Sequence, residues 1–194
     1  MPKIAAPTLA EHHAQRRAAI LAAATGLLQR EGAPAVTPAA VAAGSGLARS
    51  SVYQYYPSTG ALLGAAVEEM FASAVQEIQA SVAAADSPLE RVLAYLDAAL
   101  ELARDGHGAT GALPADLPVP PECAERVRLL HDALVEPLTS ALSDSGVDNP
   151  VSAAAFVNGV VGAAAALIDR GQPADRVRAE MRHFATHGLY PAGS

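Results

Sequence analysis

This chain of 194 residues carries 51% hydrophobic side chains, yet 46 of its positions are alanine and only eight are aromatic. The apolar content and the 17% charged residues exclude a disordered chain, and the single cysteine, Cys123, excludes a disulfide scaffold. The length suits one compact unit, or a small domain joined to a larger one. Alanine loses no side-chain entropy in a helix and adds little to a strand, so helices are favoured throughout. No long apolar run follows Met1-Pro2-Lys3-Ile4, and the expectation is a cytoplasmic protein. The net charge of −7 argues against nucleic acid until its distribution is considered. Residues 1–60 hold five basic and two acidic side chains, a balance of +3, and residues 61–194 hold eight basic and 18 acidic, a balance of −10. An electropositive head on an acidic body fits that asymmetry, and so does a solvated face.

The first helix is expected from about Glu11 to Glu31, with Ile20, Ala24, Leu27 and Leu28 forming one apolar stripe. Gly32 is placed to cap its C-terminus, and Pro34 follows. Thr37-Pro38 reads as an N-cap followed by proline at the first helical position. That second helix is short, because Gly44-Ser45-Gly46 interrupts it. A third runs from about Ala48 to Tyr56 and stops at Pro57-Ser58. Residues 59–84 then place Leu62, Leu63, Ala66, Met70, Phe71, Ala74 and Ile78 at helical spacing. Ser87-Pro88-Leu89-Glu90 is a capping box, opening a helix that ends near Arg104. Residues 106–121 read as a loop. Helices are expected again from Glu122 to about Ser143, with a kink or break at Pro137, from Asn149-Pro150 to Arg170, and from Pro173 to His187. No stretch alternates with period two, so the chain reads as all-α.

Two short helices joined by Gly44-Ser45-Gly46-Leu47 have the size and glycine turn of a helix-turn-helix. In that motif the second helix enters the major groove, and here it holds Arg49, Ser50, Ser51, Tyr53, Gln54 and Tyr55. Arginine can grip guanine, glutamine can grip adenine, and hydroxyls reach phosphates or base edges. The plainer reading is a helical hairpin whose tyrosines pack on the core, as Val52 and Tyr56 should in either case.

The spacing of Ile20-Leu21, Ala23-Ala24, Leu27-Leu28, Gly32, Thr37, Val41-Ala42, Gly46-Leu47, Arg49, Val52-Tyr53, Tyr55-Tyr56-Pro57-Ser58 and Leu62-Leu63 resembles the N-terminal domain of the TetR family of transcriptional repressors. The resemblance covers about residues 16–66. It implies an Ω-shaped, all-helical homodimer that binds palindromic double-stranded DNA and is released by a small-molecule effector. It also implies a helix-turn-helix domain at 1–58, ordered from about residue 11, and a ligand-binding and dimerisation domain at 59–194. Arg49, Ser50, Ser51, Gln54 and Tyr55 would then face the groove. Thr37 and Tyr53 would touch phosphates, and Arg16 and Arg17 would add backbone contacts. Three positions depart from the family pattern. Ala48 replaces the usual capping serine, Thr59-Gly60 replaces a common Lys-Glu, and Gln54 replaces a frequent aromatic.

Asn149 to Ile168 carries no charge, but its glycine, alanine and serine content makes it a weak membrane span, and no membrane partner is expected. A helix apolar all round is instead expected to be buried on several sides. Ala155, Gly159, Ala163 and Ala166 form a small-residue strip suited to close helix approach. Either intramolecular core or a two-fold interface shared with His183 and His187 on the last helix accounts for it. Candidate ligand-lining residues are Phe71, Tyr95, Leu96, Leu130, His131, Leu134 and Phe156, with Tyr95 and His131 as polar handles; each of them could equally be core. The run Gly106-His107-Gly108-Ala109-Thr110-Gly111 lacks the preceding strand and following helix of a dinucleotide site. His12 and His13 are adjacent and make a poor metal pair. His183 and His187, four apart, could chelate a metal, though for such a pair a surface or interface role is the commoner outcome. No cofactor, resident metal or catalytic constellation is expected. The rival to a DNA-binding regulator is an all-α ligand carrier or interaction module, with a helical enzyme ranking third.

Overall fold

In a computed structural model of the chain, which describes residues 9–104 and 121–189, every regular element is helical. Helix α1 (Leu9–Glu31) ends where Gly32 takes φ 81° and its N–H reaches the Leu28 carbonyl at 3.0 Å. A 3-10 turn at Ala33–Ala35 leads to α2 (Pro38–Ser45) and α3 (Arg49–Tyr55). Four longer helices and the slightly shorter α8 follow: α4 (Thr59–Ala83), α5 (Pro88–Arg104), α6 (Pro121–Asp144), α7 (Pro150–Asp169) and α8 (Ala174–Leu189). Helix α6 continues through Pro137 without a break. The predicted loop and its glycine run at 106–111 lie outside the described residues.

The described chain forms two compact units. The first comprises residues up to 69 with the start of α6 to Glu125, and the second comprises residues 70–104 and the remainder from Arg126. The boundary between residues 69 and 70 falls within α4. In the first unit, Ile20, Ala24, Val36, Val41, Val52, Tyr56, Leu62 and Leu63 are buried. Alanine and glycine let α1 and α2 approach closely there: a Cβ on Gly44 would stand 3.3 Å from the Ala23 methyl.

In the second unit, α5 packs against α7 and α8, and polar links add to the apolar core of Leu96, Ala99 and Leu100. The capping box forms in both directions: Ser87 N–H reaches Glu90 Oε2 at 3.0 Å, and Glu90 N–H reaches Ser87 Oγ at 3.2 Å. Arg91 bridges to Asp144 on α6 at 2.9 Å. Arg178 and Arg182 of α8 pair with Glu101 and Asp97 of α5. The Tyr95 hydroxyl, fully buried, donates to Asn158 Oδ1 at 2.9 Å.

Helix α7 departs from expectation. Asn149 caps it by accepting from Ser152 N–H at 3.1 Å, and Gly171, at φ 90°, lies just beyond its C-terminal end. Among the described residues it is the helix long and apolar enough to cross a membrane. Yet it is not buried on several sides. Ala153, Ala154, Val157, Val161, Ala164 and Ala165 are packed inward, whereas Val151, Ala155, Phe156, Gly159 and Ala163 face outward. Phe156, expected to line a ligand cavity, is 75% exposed; it stands on the outward side of α7 with Ser152, Ala155 and Gly159, at the three- and four-residue spacing of one helix face.

Burial pushes the Tyr95 hydroxyl up to about 12, the bond to Asn158 opposing only part of that rise. The folded chain therefore holds this proton at a pH where the unfolded chain has released it. The associated stability is intact below pH 10 and falls as pH rises from 10 towards 12, by up to about 2–3 kcal/mol. Urea midpoints measured at pH 9 and pH 11 should show the fall, and Tyr95→Phe should reduce it.

Candidate nucleic-acid interface

The α2–turn–α3 segment is set by local chemistry at both ends of α2. Thr37 Oγ1 accepts from Ala40 N–H at 3.2 Å, and Pro38 occupies the first helical position. At the other end Gly46 adopts φ 69°, ψ 22°, the left-handed conformation that glycine enters without side-chain strain. Its N–H and that of Leu47 both turn back to the Ala42 carbonyl, the latter at 3.1 Å. That turn redirects the chain into α3.

Helix α3 has two faces. Val52 and the following Tyr56 are buried, which turns Arg49, Ser50, Tyr53 and Gln54 outward. The Arg49 guanidinium lies 5.7 Å from the centre of the Tyr53 ring, with Nη2 3.4 Å from the tyrosine hydroxyl. This restrains a long side chain on the outer face by a weak cation–π contact. Ser51 is half-buried at the edge of that face. Tyr55, expected to face the groove, is also half-buried, and its hydroxyl meets His13 Nδ1 of α1 at 3.2 Å. The helical period places 55 close to the buried positions 52 and 56, so Tyr55 steadies α3 against α1 instead of standing free.

Arg16 and Arg17 are exposed on α1, three and four residues beyond His13. Thr37 is exposed as well, and its hydroxyl caps α2 while keeping its own proton to donate. His13 was no candidate in the sequence; nothing local signals a partner 42 residues away.

Ala48 precedes α3 with extended backbone, φ −72° and ψ 145°, and no side chain caps the helix. Its carbonyl still accepts from Ser51 N–H at 2.9 Å, so the geometry of a cap exists without the side-chain oxygen. Ala48→Ser should stabilise the first unit by about 1 kcal/mol, read as a higher denaturant midpoint.

In the second unit, Phe71, Leu96 and Leu134 are buried, Leu130 and His131 are half-buried, and the Phe71 and His131 rings lie 6.5 Å apart. Of the two polar handles, Tyr95 is already committed to Asn158, whereas His131 Nε2 is buried with no hydrogen-bond partner. His183 and His187 are exposed on α8, as is Phe184 at 65%. Among the described residues no group of three or more His, Cys, Asp or Glu is placed to hold a metal.

Residues 20–66, from within α1 to the first turns of α4, match the family model described as bacterial regulatory proteins, tetR family. That match spans the N-terminal part of the chain, which is similar there to the tetR family. Solved structures of similar fold include a TetR-family transcriptional regulator from Streptomyces coelicolor, with TM-score 0.73 and 16% identity over 97% of this chain and 98% of that one. The TetR-like regulator LfrR from Mycobacterium smegmatis, in complex with proflavine, gives 0.65 and 22% over 91% and 97%. The transcriptional regulator FadR from Bacillus subtilis, in complex with stearoyl-CoA, gives 0.70 and 12% over 89% and 98%. No curated protein matches the chain. At these identities the structural neighbours speak for the all-helical fold alone.

Proposed function

We propose that this chain is a DNA-binding transcriptional regulator of the tetR type, a ligand-released repressor that works in the cytoplasm and binds a palindromic operator as a homodimer. The observation that carries the reading is the split of α3 into a buried Val52–Tyr56 side and an exposed side bearing Arg49, Ser50, Tyr53 and Gln54. Arg49 and Gln54 read base edges, Ser50 and Ser51 approach the groove, and Arg16, Arg17, Thr37 and Tyr53 contact phosphates. Tyr55 assists by holding α3 to α1. We assign helix-turn-helix function to residues 1–58 and effector binding and dimerisation to residues 59–194.

One such helix reads only a few base pairs, so specificity calls for two half-sites at fixed spacing. The outward faces of α7 and α8 offer a surface for pairing: Ala155, Gly159, Ala163 and Ala166 allow close approach, and Phe156, Phe184, His183 and His187 flank them. Proflavine and stearoyl-CoA occupy two of the fold neighbours. By that analogy the second unit here takes a small apolar molecule among Phe71, Leu96, Leu130 and Leu134, with His131 Nε2 orienting one polar group. Such an effector lowers operator affinity only by its preference for the DNA-free form.

A mobility-shift assay on genomic fragments flanking the protein's own gene tests the reading. A shift that persists with excess non-specific DNA is expected. Absence of any retained fragment would overturn it in favour of an all-α ligand-binding module.

A further inference from the structure

On α8 the His183 and His187 side chains stand one turn apart on the exposed surface, with ring centres separated by 4.0 Å. A contact made by His187 determines which of its ring nitrogens is available. His187 Nδ1 lies 2.8 Å from the His183 backbone carbonyl. A carbonyl can only accept, so Nδ1 carries the proton, and in the neutral ring Nε2 keeps its lone pair. This is the arrangement in which a second bond orients a metal-ligating imidazole and sets its tautomer. Two charged groups on this part of the helix are engaged elsewhere: Glu180 pairs with Arg176 at 2.8 Å, and Arg182 pairs with Asp97 on α5.

We propose that His183 and His187 form a bidentate site for a borderline divalent transition-metal ion, such as Zn²⁺ or Ni²⁺. With Zn–N bonds of about 2.0–2.1 Å, an ion shared by one nitrogen of each ring lies roughly 3.2 Å from each ring centre. Centres 4.0 Å apart fall within that reach, and small rotations of two exposed side chains open the angle at the metal towards tetrahedral. Two imidazoles favour Zn²⁺ and Ni²⁺ over Mg²⁺ and Ca²⁺, which require oxygen donors. The remaining coordination positions are open to water or to a second copy of the chain. Bridging side chains four residues apart also pins the last turns of α8 in helical form, so binding raises thermal stability.

Titration calorimetry of the full chain, free of any polyhistidine tag, with ZnCl₂, NiCl₂ and MgCl₂ tests the site. Saturable binding of Zn²⁺ and Ni²⁺ but not Mg²⁺ is expected, together with a rise in Tm. Loss of either histidine leaves a single donor, so His183→Ala and His187→Ala should each weaken binding by roughly 100-fold. The His12→Ala/His13→Ala double variant should bind as the wild type does. A stoichiometry of one ion per chain, or of one per two chains, supports the site equally. The proposal is overturned if the wild type takes up neither ion at millimolar concentration, or if the His183→Ala/His187→Ala variant binds them unchanged. Alanine is the best helix former, so these exposed substitutions leave α8 folded, and circular dichroism checks this.

Discussion

Arg49→Ala is expected to weaken operator binding by roughly 1–3 kcal/mol and to relax discrimination at the base pair it contacts. The guanidinium is exposed on the outer face of α3 and makes one long hydrogen bond, to Tyr53 at 3.4 Å, so removing it costs the fold little. Arg17→Ala should behave differently. On the proposed reading it meets phosphate from its place on α1, so its loss should weaken all sequences alike and lower the dependence of affinity on salt. Fluorescence anisotropy with operator and scrambled duplexes separates the two behaviours. An Arg49→Ala protein with unchanged affinity and unchanged discrimination would remove α3 from the groove.

Replacing Gly159 with glutamate should have the largest effect, converting dimers to monomers. Gly159 is exposed and a Cβ there meets nothing within 4 Å of its own chain, so the single chain accommodates the substitution. Against a second copy, the same carboxylate would be buried without a partner. Losing the second half-site should lower operator affinity by about 10²–10⁴-fold, since the linked second contact is then lost. Sedimentation velocity reports the oligomeric state directly. A Gly159→Glu protein that remains dimeric would move the interface elsewhere.

The helix ends were legible because single residues encode them. Thr37-Pro38, Ser87 with Glu90, Asn149-Pro150 and the glycines at 32 and 171 each supply or demand one particular backbone arrangement. The outer face of α3 was legible too, because Val52 and Tyr56 are the residues at helical spacing that a core would accept. Tyr55 was not, as its partner His13 is distant in sequence and no periodicity connects them. Phe156 was misplaced for a different reason. Along 150–168 nearly every residue is apolar, so no contrast between faces indicates which side turns inward. The match of Tyr95 with Asn158 was likewise invisible, because a hydroxyl and an amide 63 residues apart share no local pattern.

The pairs of Asp97 with Arg182 and Glu101 with Arg178 hold α8 to α5, and all four side chains remain partly exposed. Ions in solution screen such pairs, so their hold on α8 weakens as ionic strength rises. On the assignment of dimerisation to α7 and α8, two processes then respond to the same variable: counterion release from DNA, and loosening of the helix on which pairing depends. A plot of log affinity against log salt would run steeper than phosphate contacts alone dictate, and counting contacts from its slope would give too many. Repeating the plot with a covalently linked dimer isolates the part that belongs to DNA.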